Sequence, residues 1–115
     1  MLFRSKEMIL KGKCKRIFLK WLKIRVNSTL HEIDNIEFWF NLQDESSKIT
    51  LIIEWLDSVG IYITSDYFEL NKGFYSEILD SNFEIVKPTR QEALTEAIKK
   101  ANEIYNEKIA YRNKQ

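Results

Sequence analysis

The chain has 115 residues, 44% of them hydrophobic and 13% aromatic, with three glycines and one proline. That suits one folded domain and excludes a disordered or low-complexity chain; with Cys14 as the single cysteine it also excludes an internal disulfide framework. The net charge of +1 conceals a segregation: residues 1–26 hold nine basic residues and one acidic (+8), and the remaining 89 hold nine basic and sixteen acidic (−7).

The basic N-terminal segment, 1–26, includes Lys11, Lys13, Lys15, Arg16, Lys20, Lys23 and Arg25. Leu10, Cys14, Ile17, Phe18, Trp21 and Ile24 recur at helical spacing on one face, and Lys13, Arg16, Lys20 and Lys23 lie opposite. Strand alternation fits these residues less well, so the segment is expected to be helical from about Lys13 to Arg25. Such a helix either packs on the domain with its lysines in solvent, or meets an anionic partner such as a nucleic acid or a membrane surface.

Residues 27–115 read as a single compact α+β domain. Thr29 and Glu32 have the spacing of a capping box, in which each side chain satisfies an amide of the first turn. A helix over 30–42 is expected from it, in competition with a strand pattern at Ile36, Phe38, Phe40 and Leu42. In the helix, Phe38 and Trp39 point away from the main stripe, into a second layer or toward a partner. Ser46 or Ser47 can cap the next helix, about 47–58, with Ile49, Ile52, Trp55, Leu56 and Val59 on its apolar face. Gly60 then stands where a left-handed C′ residue is wanted.

From Gly60 the period changes to two. Asn71-Lys72-Gly73 supplies a hairpin turn, Phe74 to Leu79 a strand, Asp80-Ser81-Asn82 a turn and Phe83 to Lys87 a last strand. Ser65-Asp66 is either a bulge or a tight turn, so the antiparallel meander has three strands or four. Pro88 closes the last strand, and Thr89 with Glu92 forms a second capping box. A long helix runs on to about Arg112, with Ala93, Leu94, Ala97, Ile98, Ala101, Ile104, Tyr105 and Ile109 on the face that covers the meander. Tyr62, Tyr67 and Tyr75 fall to the other face or the edges. A helix of about 23 residues is roughly 35 Å long, against roughly 20 Å for a six-residue strand. Its far end, Tyr105 to Tyr111, therefore overhangs, and either frays, packs on another helix or meets a partner.

No chemistry of an active site is assembled. Cys14 and His31 are the single cysteine and the single histidine, with no local pattern to pair them as nucleophile and base. His31-Glu32 with Asp34 lacks the second histidine of a zinc helix, and no Gly-rich phosphate loop exists. The expectation is a non-enzyme that needs no cofactor or metal. A lone cysteine fits a reducing compartment, and the basic N-terminus has neither a clean apolar core nor a small-residue cleavage site, so a cytoplasmic protein without a membrane span is expected.

The helix–meander–helix order of 47–112 resembles that of double-stranded RNA-binding domains, which hold phosphates with a lysine cluster at the start of the last helix. Here that turn is Thr89-Arg90-Gln91-Glu92, with one cation, and the first helix presents Glu54 and Asp57. Nucleic acid, if bound, is then expected at the N-terminal lysines. Trp55-Leu56, the Tyr- and Phe-rich stretch from Tyr62 to Ile85, and Pro88 to Ala93 leading into an Ala-rich helix also resemble small accessory proteins of phages and prophages. That resemblance implies an intracellular protein working by binding. The reading is a non-catalytic protein binder using Phe38, Trp39, Tyr105 and Tyr111, or a self-associating chain. The alternative is a nucleic-acid binder using Lys11, Lys13, Lys15, Arg16, Lys20, Lys23 and Arg25.

Overall fold

The computed structural model describes residues 8–27, 35–70 and 72–113, with side chains described as far as residue 110. The elements are α1 (Gly12–Asn27), α2 (Ile36–Asn41), α3 (Glu45–Ser58), β1 (Ile63–Phe68), β2 (Gly73–Ile78), β3 (Glu84–Lys87) and α4 (Arg90–Asn113). The strands form one antiparallel sheet in the order β1-β2-β3, and α4 packs across all three. This is the expected α+β architecture, with three strands. No helix among the described residues is long and apolar enough to cross a membrane.

The start of α4 follows from its sequence. Thr89 Oγ1 accepts the Glu92 amide at 3.1 Å, one half of the expected capping box. Arg90, in the same turn, reaches back to the sheet: its guanidinium lies 4.9 Å from the centre of the Phe74 ring and donates to Ser65 Oγ at 3.3 Å. Ala93, Ala97 and Ala101 continue from Arg90 at three- and four-residue steps and are fully buried. Side chains this short let the helix lie close to the strands. The side of α4 turned to the other helices carries Ile98 and Tyr105 together with Asn102 and Asn106, and the two asparagines hold α1 there.

That hold is a tertiary cap. Asn106 Oδ1 accepts the Cys14 amide at 2.9 Å, Asn106 Nδ2 donates to the Lys11 carbonyl at 3.1 Å, and Asn102 Oδ1 accepts the Lys11 amide at 2.9 Å. Gly12 sits between them at φ +67, with space for a Cβ only by pressing on Asn106. Because α4 fixes the start of α1, it also fixes its rotation. The buried stripe is Cys14, Phe18, Leu22 and Val26, at four-residue steps, whereas the expected stripe included Ile24 and left out Leu22. Ile24 is 75% exposed, and Ile17 and Trp21 are half-buried.

The core between α4 and the other helices is centred on Trp55. Its ring meets Phe18 at 5.7 Å and Tyr105 at 5.1 Å, and Phe18 meets Phe40 at 5.3 Å. Edge-to-face pairs of this kind add roughly 0.5–1.5 kcal/mol each to the area they bury. Tyr105 thus packs on another helix, one of the outcomes expected for the overhang.

Two helix starts differ from expectation. α2 begins at Ile36, with Asn35 Oδ1 accepting the Phe38 amide at 3.0 Å; Thr29, His31 and Glu32 lie outside the described residues. α3 begins at Glu45, because Asp44 rather than Ser46 or Ser47 caps it: Asp44 Oδ1 accepts the Ser47 amide at 2.7 Å. That bond holds the Asp44 carboxyl below its ordinary range. α3 ends as expected. Gly60, at φ +84, donates to Asp57, and Ile61 donates to Leu56, the double bond of a Schellman ending.

The strands pair in continuous register, Ile63 with Ile78 through to Phe68 with Gly73, so Ser65-Asp66 lies mid-strand without a bulge. Gly73 is required for closeness, not for turning. It belongs to β2, and a Cβ there would stand 2.9 Å from both the Lys87 carbonyl oxygen and Val86 Cγ1. The positive φ angles of the turns belong to Lys72 and Asp80.

The tertiary cap gives a direct expectation. Asn106→Ala removes the acceptor of the Cys14 amide and the donor to Lys11, and is expected to lower stability by about 1–2 kcal/mol. Urea denaturation reads this as a lower midpoint at unchanged slope; an unshifted midpoint would show that α1 does not depend on α4 for its cap.

Candidate interaction surfaces

α1 presents an exposed cationic stripe opposite its buried one. Lys13, Arg16, Lys20 and Lys23 follow at three- and four-residue steps and are all exposed. Among the described residues none of these four makes an ion pair, whereas the cations flanking the stripe do. Lys15 Nζ lies 2.8 Å from Glu37, and Arg25 forms a two-point pair with Glu54 at 2.6 and 2.9 Å. The Arg25 guanidinium, which also lies 5.8 Å from the centre of the Trp21 ring, holds the Glu54 carboxyl below the usual carboxylate range. Lys11 precedes the helix, with its backbone bound by Asn102 and Asn106. Of the seven basic residues singled out by sequence, the fold groups four.

The second surface is the face of the sheet that α4 leaves open. Residues directly opposite in an antiparallel pair share a face. The register therefore puts Thr64, Glu77 and Glu84 in one row and Asp66, Tyr75 and Val86 in the next, with Phe68 beside them. The side chains of Ser76, fully buried, and Ile78 point the other way, under α4. On the open face Tyr75 Oη donates to Glu77 at 2.9 Å and its ring lies 6.2 Å from that of Phe68. The Glu77 bond, with Glu84 nearby, pushes the Tyr75 phenol up to about 12. Tyr62 and Leu79, joined by a backbone bond at one end of the face, are exposed, as is Phe68. The strands' one cation, Lys87, pairs with Phe74 and so belongs to the α4 side.

The aromatic residues expected at an interface divide. Phe38 is 62% exposed and lies one turn from Leu42, 67% exposed, so α2 shows a small apolar patch. Trp39 is half-buried against the core, and Tyr105 is half-buried on Trp55. The backbone of Tyr111 lies in α4, and its side chain lies outside the described residues. The open sheet face was missed as a site. The alternation of Thr64, Asp66 and Phe68 with Ile63, Ser65 and Tyr67 carried the signal, but reading it needs the register.

Cys14 is fully buried, and burial pushes its thiol up to about 12, the reverse of activation by Lys13 and Lys15. Arg90, the cation where a double-stranded RNA reader keeps its lysines, is occupied with Phe74 and Ser65. Among the described residues no three of His, Cys, Asp and Glu are grouped to hold a metal ion. Compared with known protein families, curated proteins and solved structures, the chain matches none of them.

The state of Cys14 is testable. With its pKa pushed up by burial, the thiol stays protonated near neutral pH and reacts only when it is exposed. A thiol reagent is expected to label the unfolded chain at once and the native protein only as fast as it opens; equal rates in buffer and denaturant would place the sulfur at the surface.

Proposed function

We propose that the chain is a non-catalytic protein-binding module whose interface is the open face of its sheet. The observation that carries this reading is that the open face exposes Phe68 at one end and Tyr62 with Leu79 at the other, with Asp66, Glu77 and Glu84 between them. Exposed apolar side chains interspersed with charge on one sheet face are what a docking surface requires. The Phe38–Leu42 patch of α2 is a smaller surface of the same kind. The Trp-Leu-ended helix, aromatic meander and Ala-rich last helix support placing the protein among cytoplasmic accessory proteins of phage or prophage type. Incorporating a photo-crosslinking amino acid at Phe68, with a control at Glu107 on exposed α4, tests the reading in cells. A discrete protein adduct is expected at Phe68 alone; equal, diffuse labelling at both positions would remove it.

The α1 stripe supports a second reading, contact with the phosphates of a nucleic acid. Its support is that four adjacent cations have no carboxylate partner among the described residues. Four phosphate contacts to duplex DNA give a log–log salt slope of about −3.6. Anisotropy with a labelled duplex that shows no binding, or binding indifferent to salt, would dispose of it.

A further inference from the structure

We infer that the partner of the open sheet face is the cationic stripe of α1 on a second copy of the chain, so that the protein associates head to tail. This rests on the reading of the sheet face as a docking surface, and it names the occupant.

Three observations carry it. First, both surfaces are electrostatically unfavourable in the isolated chain, with opposite signs. Glu77 stands directly opposite Glu84 across β2 and β3, with Asp66 on the neighbouring row and no strand cation on that face. Like charges directly opposite on a sheet destabilise it. On α1, Lys13–Arg16, Arg16–Lys20 and Lys20–Lys23 are like-charged neighbours at helical spacing, which also repel. Each surface is relieved by the charge the other holds. Second, the two cannot meet within one molecule. α4 packs on the strands with its alanine side and on α1 through Asn102 and Asn106 on the opposite side. The stripe of α1 faces away from the buried Cys14, Phe18, Leu22 and Val26, and so away from the sheet. Third, the surfaces match in length. Lys13 to Lys23 spans about 15 Å of helix, β1 and β2 are about 20 Å long and the shorter β3 about 13 Å. Ile24, beside the stripe, and Phe68 and Tyr62, on the sheet, supply exposed apolar contacts.

The contact joins two different surfaces, so each added copy leaves one of each free. Such an interface grows past the dimer unless it closes into a ring.

Sedimentation of the full chain against concentration tests the inference, at ionic strengths of about 0.01 M and about 1 M, where the Debye length is about 30 Å and about 3 Å. The average mass is expected to rise past that of a dimer at low salt, with apparent affinity falling at least about tenfold at high salt. Lys20→Glu with Lys23→Glu, and separately Asp66→Lys with Glu84→Lys, are each expected to leave a monomer. All four positions are exposed, and circular dichroism checks that the variants fold. Mixing the two variants restores association, because the acidic sheet of one meets the basic helix of the other. A wild-type monomer at every concentration, or association that survives either reversal, would overturn the inference; a monomer that binds duplex DNA through the stripe would do so as well. If the chain is monomeric and Phe68 still gives an adduct with another protein in cells, self-association is lost and the docking reading stands. If both fail, both are lost.

Discussion

Everything in this protein is arranged around a helix that must bury two sides at once. α4 lies on three strands with one side and carries α1 and α3 on the other. A helix in that position cannot have a simple amphipathic stripe. It needs small residues where it nears the sheet, and Ala93, Ala97 and Ala101 provide them. It needs larger groups toward the helices, and Ile98 and Tyr105 provide those, the latter against Trp55. It also uses hydrogen bonds where an apolar contact would not orient its neighbour: Asn102 and Asn106 fix both the position and the rotation of α1. The aromatic cluster of Phe18, Phe40 and Trp55 is then filled from three helices, none of which buries it alone.

The same arrangement sorts charge. The chain places its net positive charge early and its net negative charge late, and the fold carries that separation into space. Contact between the halves neutralises part of it, through Lys15 with Glu37 and Arg25 with Glu54. Exposed pairs of this kind contribute little to stability, about 0–1 kcal/mol, so their effect lies more in which charges they leave over. What remains is a positive helix face on one side of α4 and a negative, aromatic sheet face on the other.

Elements signalled by short-range chemistry were legible in the sequence. Gly60 ended α3 because only a residue at ease with positive φ closes that ending. Pro88 and Thr89 began α4 because the missing amide and the capping hydroxyl act within four residues. The meander was legible from alternation and its turns. What was not legible depended on residues distant in the chain. The buried stripe of α1 was misplaced because its rotation is set by Asn102 and Asn106, which read locally as polar surface positions on α4. Asp44 was passed over as a cap because serines stood just after it. Gly73 was read as a turn residue because its true constraint is the backbone of β3, fourteen positions on. The stripe of four cations was visible from periodicity alone, but the division into paired flanks and an unpaired centre required Glu37 and Glu54 to be placed.

The cap of α1 ties order of assembly to order of synthesis. Residues 11 and 14 find their partners 91 to 95 positions later, across nearly the whole chain. The free energy of closing so long a loop rises only slowly with its length, but closure must precede any gain from the bonds it permits. The start of α1 is therefore completed only by residues synthesised some ninety positions after it. Until Asn102 and Asn106 emerge, its leading amides have only water to bond, and Cys14, Phe18 and Leu22 lack the wall against which they are eventually buried. The cap of the basic amphipathic helix α1 and the wall that buries its apolar side are thus both supplied by residues distant in the chain.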